Sequence, residues 1–212
     1  MFWGSNKIKA VFFDVGGVLL DVDLDRYVQI CCAKLRTTPE PLQREVALRV
    51  PKLECGTMDS AAFWREIGEA LWRRGEGYMG EESDFLHLWR DLMSSSMIIN
   101  TEVVRLAQTL SQKGVQVGIL SNAIEEHAEY LQERGVYAPF NPCVISCRVG
   151  LRKPDSAIYR LAAQRAGVKL PQCLFIDDMP GNVESAQRLG MQGLVFSDAP
   201  QLAQDLGKLG LL

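Results

Sequence analysis

Histidine is scarce in this chain: 212 residues contain only His87 and His127. The six cysteines (Cys31, Cys32, Cys55, Cys143, Cys147 and Cys173) form no CxxC pair and share no metal-type spacing with either histidine. A zinc site of ordinary spacing is therefore excluded, and the thiols read as reduced, semi-buried cysteines of a cytosolic protein. No excess of positive charge exists either. Twenty-three Lys and Arg stand against 26 Asp and Glu, a formal net charge of −3. Without a basic stripe, nucleic acid is not expected as a partner. Long apolar runs are also missing. The opening "MFWGSNKIKAVFF" is interrupted by Lys7 and Lys9 and stopped by Asp14. It reads as neither a signal peptide nor a membrane span, so a cytoplasmic location with no membrane partner is expected. Internal repeats and low-complexity tracts are absent too. What remains is an ordinary globular composition, 47% hydrophobic and 23% charged. Its length suits one large domain or a core with a smaller insert.

Short apolar runs then punctuate the chain. Ile8–Phe13, Val115–Leu120, Cys143–Ser146, Cys173–Ile176 and Gly193–Phe196 are rich in β-branched or aromatic residues and end in polar residues or glycine. Between the later runs lie segments of helical period at 101–114, 125–135, 155–167 and 181–190, most of them stopping at glycine. Strand–helix alternation with short loops predicts an α/β fold, a doubly wound parallel sheet. Nearly continuous apolar runs fit strands covered on both faces. Residues from about 22 to 95 differ. "DLDRYVQICCAKLR", "EPLQREVALRV", "SAAFWREIGEALWRRG" and "EESDFLHLWRDLM" are all helical in period. The expected organisation is therefore a core of residues 1–21 and 97–212, with a helical insert at 22–96 whose "SSS" at 94–96 forms a hinge.

In an open parallel sheet, ligands bind beyond the carboxyl ends of the strands. After the first run comes Asp14, followed by Gly16 and Gly17. After the second come Ser121 and Asn122. The loop after the third, "CRVGLRKPD", carries Lys153. After the fourth come Asp177 and Asp178, then Asn182. Each has a bland reading. Asp14 alone passes for a turn residue, Ser121 and Asn122 for a helix N-cap, and Lys153 for a solvated charge. The acid pair resists such a reading, because adjacent carboxylates repel unless a cation or proton lies between them. Independent caps also have no reason to occupy every carboxyl end.

The ordered set "FFDVGGVLLD", "ILSN", "GLRKPD" and "FIDDMPGNVESAQRLG" resembles the four motifs of the haloacid dehalogenase-like hydrolase superfamily, over nearly the whole chain. "KP" alone carries little information; the fourth motif is the most specific. The resemblance implies a Rossmann-like core and, from the insert's position, the helical cap of subfamily I. It further implies a phosphatase that acts through an aspartyl-phosphate on a small phosphorylated metabolite such as a sugar phosphate. Asp14 would be the nucleophile. Ser121, Asn122, the Gly17 loop and Lys153 would bind the phosphate, with Lys153 also neutralising the nucleophile. Mg²⁺ would be held by Asp14, the Gly16 carbonyl and Asp178, with Asp177 accepting a hydrogen bond behind it and Asn182 supporting the loop.

One position departs from that pattern. Phosphatases of this family usually carry a second aspartate two residues after the nucleophile, which protonates the leaving oxygen. Here that residue is Gly16. Asp21, Asp23, Glu54 and His87 are candidates to replace it. Two alternatives stay open. A metal-independent dehalogenase shares the aspartate, "SN" and "KP" but lacks the acid pair. A non-catalytic member that retains affinity for Mg²⁺ and phosphate as a regulatory module is favoured by Gly16 and opposed by the intact Asp14, Lys153 and Asp178.

Overall fold

The computed structural model describes residues 7–78 and 88–212. Five parallel strands form the central sheet: β1 (Ala10–Phe13), β4 (Gln116–Ser121), β5 (Cys143–Ile145), β6 (Cys173–Asp177) and β7 (Gln192–Val195), in the order β5-β4-β1-β6-β7. β1 is central because "AVFF" has no polar side chain to keep in water, and all four residues are buried. Alternation sorts the strand residues onto two faces. Val11, Phe13, Ile119 and Ile176 enter one hydrophobic cluster. Ala10, Phe12, Leu120 and Phe175 enter another on the opposite face. Helices α5 (Thr101–Gln112), α6 (Glu125–Glu133) and α10 (Ala199–Lys208) supply the first face, with Val103, Leu131 and Leu206 among the buried residues. Helices α8 (Ser156–Arg165) and α9 (Pro180–Arg188) supply the second, with Ile158 and Ala186. In β4 a glycine is required. A Cβ on Gly118 would lie 2.7 Å from the Pro142 carbonyl oxygen and 2.9 Å from the Phe12 ring.

Helices α1 (Leu24–Leu35), α2 (Pro39–Glu54), α3 (Ser60–Arg73) and α4 (Leu88–Ser96) follow the first strand and precede the rest of the sheet. They share a separate hydrophobic cluster built on Leu35, Phe63, Trp64, Ile67, Leu71 and Leu92. Asp23 and Asp59 start α1 and α3 by accepting hydrogen bonds from the Arg26 and Ala62 amides, at 2.9 and 2.7 Å. Such caps hold the helix starts in place. Ile124, in the loop after β4, joins this cluster and so ties the helices to the sheet. Two short strands, β2 (Leu20–Val22) and β3 (Met97–Ile99), pair antiparallel where the chain leaves and re-enters the core.

Several details differ from expectation. Ser94–Ser96 complete the last turn of α4 and run straight into β3, so they are helix rather than a loop hinge. β2 and β3 were not expected, being three residues each and partly exposed, too short for alternation to register. Helix α10 was also missed, although Leu202 and Leu206 bury one of its faces. His87, and the part of "EESDFLHLWRDLM" that ends there, lie outside the described residues.

Candidate active site

β1 pairs in parallel with both neighbours and stops one residue before β6 and two before β4. Phe13 pairs with Ile119 on one side and Ile176 on the other. Asp14 therefore lies level with Leu120 and Asp177, Ser121 ends β4 one residue further on, and Lys153 reaches in from the loop after α7 (Ser146–Val149). The Lys153 side chain is only 1% exposed, and its ammonium lies 2.8 Å from Asp14 Oδ1 and 2.7 Å from Asp177 Oδ2. It also sits 5.2 Å from the centre of the Phe175 ring. A buried ammonium needs such compensation.

Asp14 is held from two directions. Oδ1 accepts from the Val15 amide at 2.7 Å as well as from Lys153. Oδ2 accepts no hydrogen bond from the described residues. Burial outweighs the attraction of Lys153, with repulsion from Asp177 adding to it, and raises the Asp14 carboxyl to about 6. Asp178, half-buried, is likewise raised, first by burial and then by the charge of Asp177.

The adjacent acids differ in surroundings. Asp177 is fully enclosed and saturated: Lys153 donates to Oδ2, the Met179 amide to Oδ1 at 2.8 Å, and Asn182 Nδ2 to both oxygens at 3.1 Å. The carbonyl of Asn182 in turn accepts from the Tyr159 hydroxyl at 2.9 Å. Asp178 turns toward Gly17. That glycine has φ +74°, and a Cβ there would overlap the Asp178 carboxylate. The chain therefore needs glycine at this position for conformation and for space. Gly16 is exposed, and a Cβ built on it meets nothing within 4 Å.

Ser121, the last residue of β4, is buried. The Asn122 side chain is engaged with main chain. Oδ1 accepts from the Lys153 amide at 2.8 Å, and Nδ2 donates to the Lys153 carbonyl at 3.0 Å. Of the residues considered as substitutes for an acid at position 16, Asp23 is committed to capping α1 and Glu54 to Arg152; Asp21 stands exposed on β2. Sequence reasoning missed Arg152 and Ser146. The Ser146 hydroxyl accepts from the Ala123 amide at 3.0 Å and donates to its carbonyl at 3.2 Å, stitching the loops after β4 and β5. No local pattern marks either residue, because their partners are distant in sequence.

Oxygen atoms of Asp14, Asp177 and Asp178 lie within 4.8 Å of one another. All-oxygen donors suit a hard cation such as Mg²⁺. Burial raises the carboxyls of Asp14 and Asp178, and a cation beside them would favour their charged forms. The residues present therefore fit the ion.

A buried carboxylate, a buried ammonium and an acid pair thus meet at the carboxyl edge of a parallel sheet. Residues 8–190 match the sequence profile of the haloacid dehalogenase-like hydrolases, and the chain belongs to that family. A sesquiterpene phosphatase of Aspergillus oryzae is 24% identical over 205 residues, covering 96% of this chain and 97% of that protein. Flavin mononucleotide hydrolase 1 of Arabidopsis thaliana is 47% identical over 66 residues, which cover 31% of this chain and 27% of that protein. For four curated relatives the match spans only 19% to 36% of their own length. A haloacid dehalogenase family enzyme from Bacteroides thetaiotaomicron, solved with magnesium and inorganic phosphate, superposes with a TM-score of 0.72 at 22% identity. It covers 92% of this chain and 98% of its own. That likeness establishes the shared fold. Among the described residues no helix is long and apolar enough to cross a membrane.

Proposed function

We propose that this protein is a Mg²⁺-dependent phosphomonoesterase acting on a small phosphorylated metabolite, such as a sugar phosphate, through an aspartyl-phosphate on Asp14. The observation that carries the reading is the buried Lys153 ammonium bridging Asp14 and Asp177, with Asp178 beside them.

Phosphoryl transfer demands a nucleophile in line with the leaving oxygen and positive charge around the equatorial oxygens. Asp14 supplies the first. Lys153 and the Val15 amide fix Oδ1, which leaves Oδ2 to form the bond to phosphorus as the leaving-group oxygen departs. Lys153, the Ser121 hydroxyl and the amides of the Gly16–Gly17 turn bind the phosphate oxygens and stabilise their charge. Water then cleaves the acyl phosphate and regenerates Asp14. Asp14, Asp178 and the Gly16 carbonyl would hold Mg²⁺, which would supply positive charge at the phosphate. In this scheme Asp177 orients Lys153 and the Asn182 loop, and Asn122 acts on the phosphate through the loop of Lys153. Residues 22–96 serve as a cap that covers the site and excludes water.

The saturated Asp177 and the open Asp178 favour this reading over a metal-independent dehalogenase, which needs no second acid. The test is turnover of a generic aryl phosphate by the purified chain. Asp14→Asn should abolish it with the fold intact, and EDTA should abolish it reversibly. Full activity in EDTA would remove the magnesium role. No turnover in wild type would favour a binding module.

A further inference from the structure

We propose that Glu54, the last residue of α2, is a positioning residue that acts through Arg152 on Lys153; the proposal rests on the phosphoryl-transfer reading above. Arg152 Nε and Nη2 lie 2.9 and 2.8 Å from Glu54 Oε2, joining the inserted helices to the loop that carries the buried ammonium. Two residues further on, Gly56 packs against α7, which leads into that loop. Gly56 has φ +66°, and a Cβ there would overlap the Cys147 carbonyl group. The turn after α2 therefore touches the segment 147–152 at both ends.

Beyond Arg152 the chain has no slack. The Arg152 carbonyl accepts from the Asp155 amide at 2.9 Å. The next residue, Lys153, has its amide and carbonyl both engaged by Asn122, and its ammonium meets Asp14 and Asp177. Contacts thus run without a gap from Glu54 through Arg152 and Lys153 to Asp14. Such a chain of packed, hydrogen-bonded groups transmits displacement. At the reacting centre, misplacement by a fraction of a bond length already costs rate. A partly exposed ion pair contributes little to stability. Its value lies in where it holds Arg152. The arrangement makes alignment of Lys153 depend on the insert being docked, so that an undocked insert leaves the ammonium misplaced. It also gives Glu54 a role other than proton donor for the acid missing at Gly16, since its Oε2 is occupied by the guanidinium.

The experiment compares wild type with Glu54→Gln, Glu54→Arg, Arg152→Glu and the charge-swapped double variant, all as the full chain with Mg²⁺. Turnover of an aryl phosphate and amide hydrogen exchange across residues 147–155 are both measured. The single variants should lower kcat about tenfold with KM nearly unchanged and should speed exchange in that segment. The swap should return kcat to within about threefold of wild type and restore protection. Glu54→Gln preserves shape, so it decides the matter if a charge reversal fails to fold. Unchanged kcat in the single variants, with only the unfolding midpoint lowered, would make the pair a structural bridge and overturn the proposal. Failure of the swap to restore kcat would also overturn it, as expected if Glu54 donates a proton. If wild type turns over no phosphate ester, the phosphoryl-transfer reading falls. Exchange across 147–155 then decides alone: unchanged exchange in Glu54→Gln overturns the coupling, and faster exchange upholds it.

Discussion

Replacing Gly16 with aspartate tests the departure of this chain from the family's first motif. Gly16 is exposed, and the space where a side chain would begin is empty to 4 Å. The residue is also outside the left-handed region, where Gly17 sits at φ +74°. Aspartate should therefore fold at little cost, and removing glycine's freedom in the unfolded chain favours the variant by about 0.4–1 kcal/mol. Any metal contact through the residue 16 carbonyl survives, because it uses main chain. The change in rate should be far larger than the change in stability. General acid catalysis supplies about 10²–10⁴-fold, or about 3–5 kcal/mol of barrier. Without an acid at position 16, wild type should depend steeply on leaving-group pKa. Aryl or sugar-1-phosphates should then exceed a matched primary alkyl phosphate by roughly that factor of 10²–10⁴. Gly16→Asp should raise alkyl turnover and leave aryl turnover nearly level, flattening the series. The assay is a leaving-group series at fixed pH and saturating Mg²⁺, under conditions where attack by Asp14 limits the rate. A flat series in wild type would refute the reasoning, because another residue would then be supplying the proton. An unchanged gap in the variant would refute it as well.

Other substitutions test the surrounding architecture. Gly17→Ala must adopt a left-handed conformation at a cost of about 1–2 kcal/mol. It must also push the Asp178 carboxylate aside, so Mg²⁺-dependent activity should fall more than thermal stability does; equal activity at saturating Mg²⁺ would contradict the close approach. Gly118→Ala places a methyl 2.7 Å from the Pro142 carbonyl oxygen. It should destabilise the protein by about 1–3 kcal/mol in urea unfolding. Burial lowers His127 from 6.5 to about 4, so between those values the unfolded chain binds a proton that the folded protein refuses. Stability should therefore fall as pH drops from 6.5 toward 4. His127→Gln should reduce that slope, and an identical slope in the variant would show that other groups carry it.

The sheet was legible because its strands are covered on both faces, which forces continuous apolar runs such as "AVFF" and "CLFI". Their ends moved by one or two residues, as with Ile8–Phe13 against Ala10–Phe13 and Cys173–Ile176 against Cys173–Asp177. β2 and β3 escaped notice because three partly exposed residues produce no periodicity, and Ser94–Ser96 were misjudged because polarity alone does not end a helix. The meeting of Asp14, Lys153 and the acid pair was readable from topology, since a parallel sheet brings its carboxyl ends to one edge. What topology does not carry is the hydrogen-bond assignment. Nothing in "SN" says that the asparagine grips the main chain of Lys153, and nothing in "RKPD" says that its arginine reaches Glu54.

The acid pair shows why that second layer of detail matters for chemistry. From sequence, Asp177 and Asp178 are interchangeable neighbours. In the fold, Asp177 is the last residue of β6, paired with Val195, whereas Asp178 lies just beyond the strand, and their surroundings differ. Asp177 faces inward and receives four hydrogen bonds from Lys153, Met179 and Asn182. With its oxygens spent, it has little left to offer a cation, but it fixes the ammonium that lies against Asp14. Asp178 faces the Gly17 turn, is half-buried and is raised first by burial and then by its neighbour's charge. A cation would relieve that repulsion, which is the condition for a carboxylate to gain by ligation. Removing Asp178 should therefore weaken Mg²⁺ binding while sparing Lys153, whereas removing Asp177 should displace Lys153 and cost turnover even at saturating Mg²⁺. Matched Asp177→Asn and Asp178→Asn variants, titrated with Mg²⁺ in a turnover assay, separate the two roles. Identical Mg²⁺ dependence in both would mean that the neighbours act as one ligand pair.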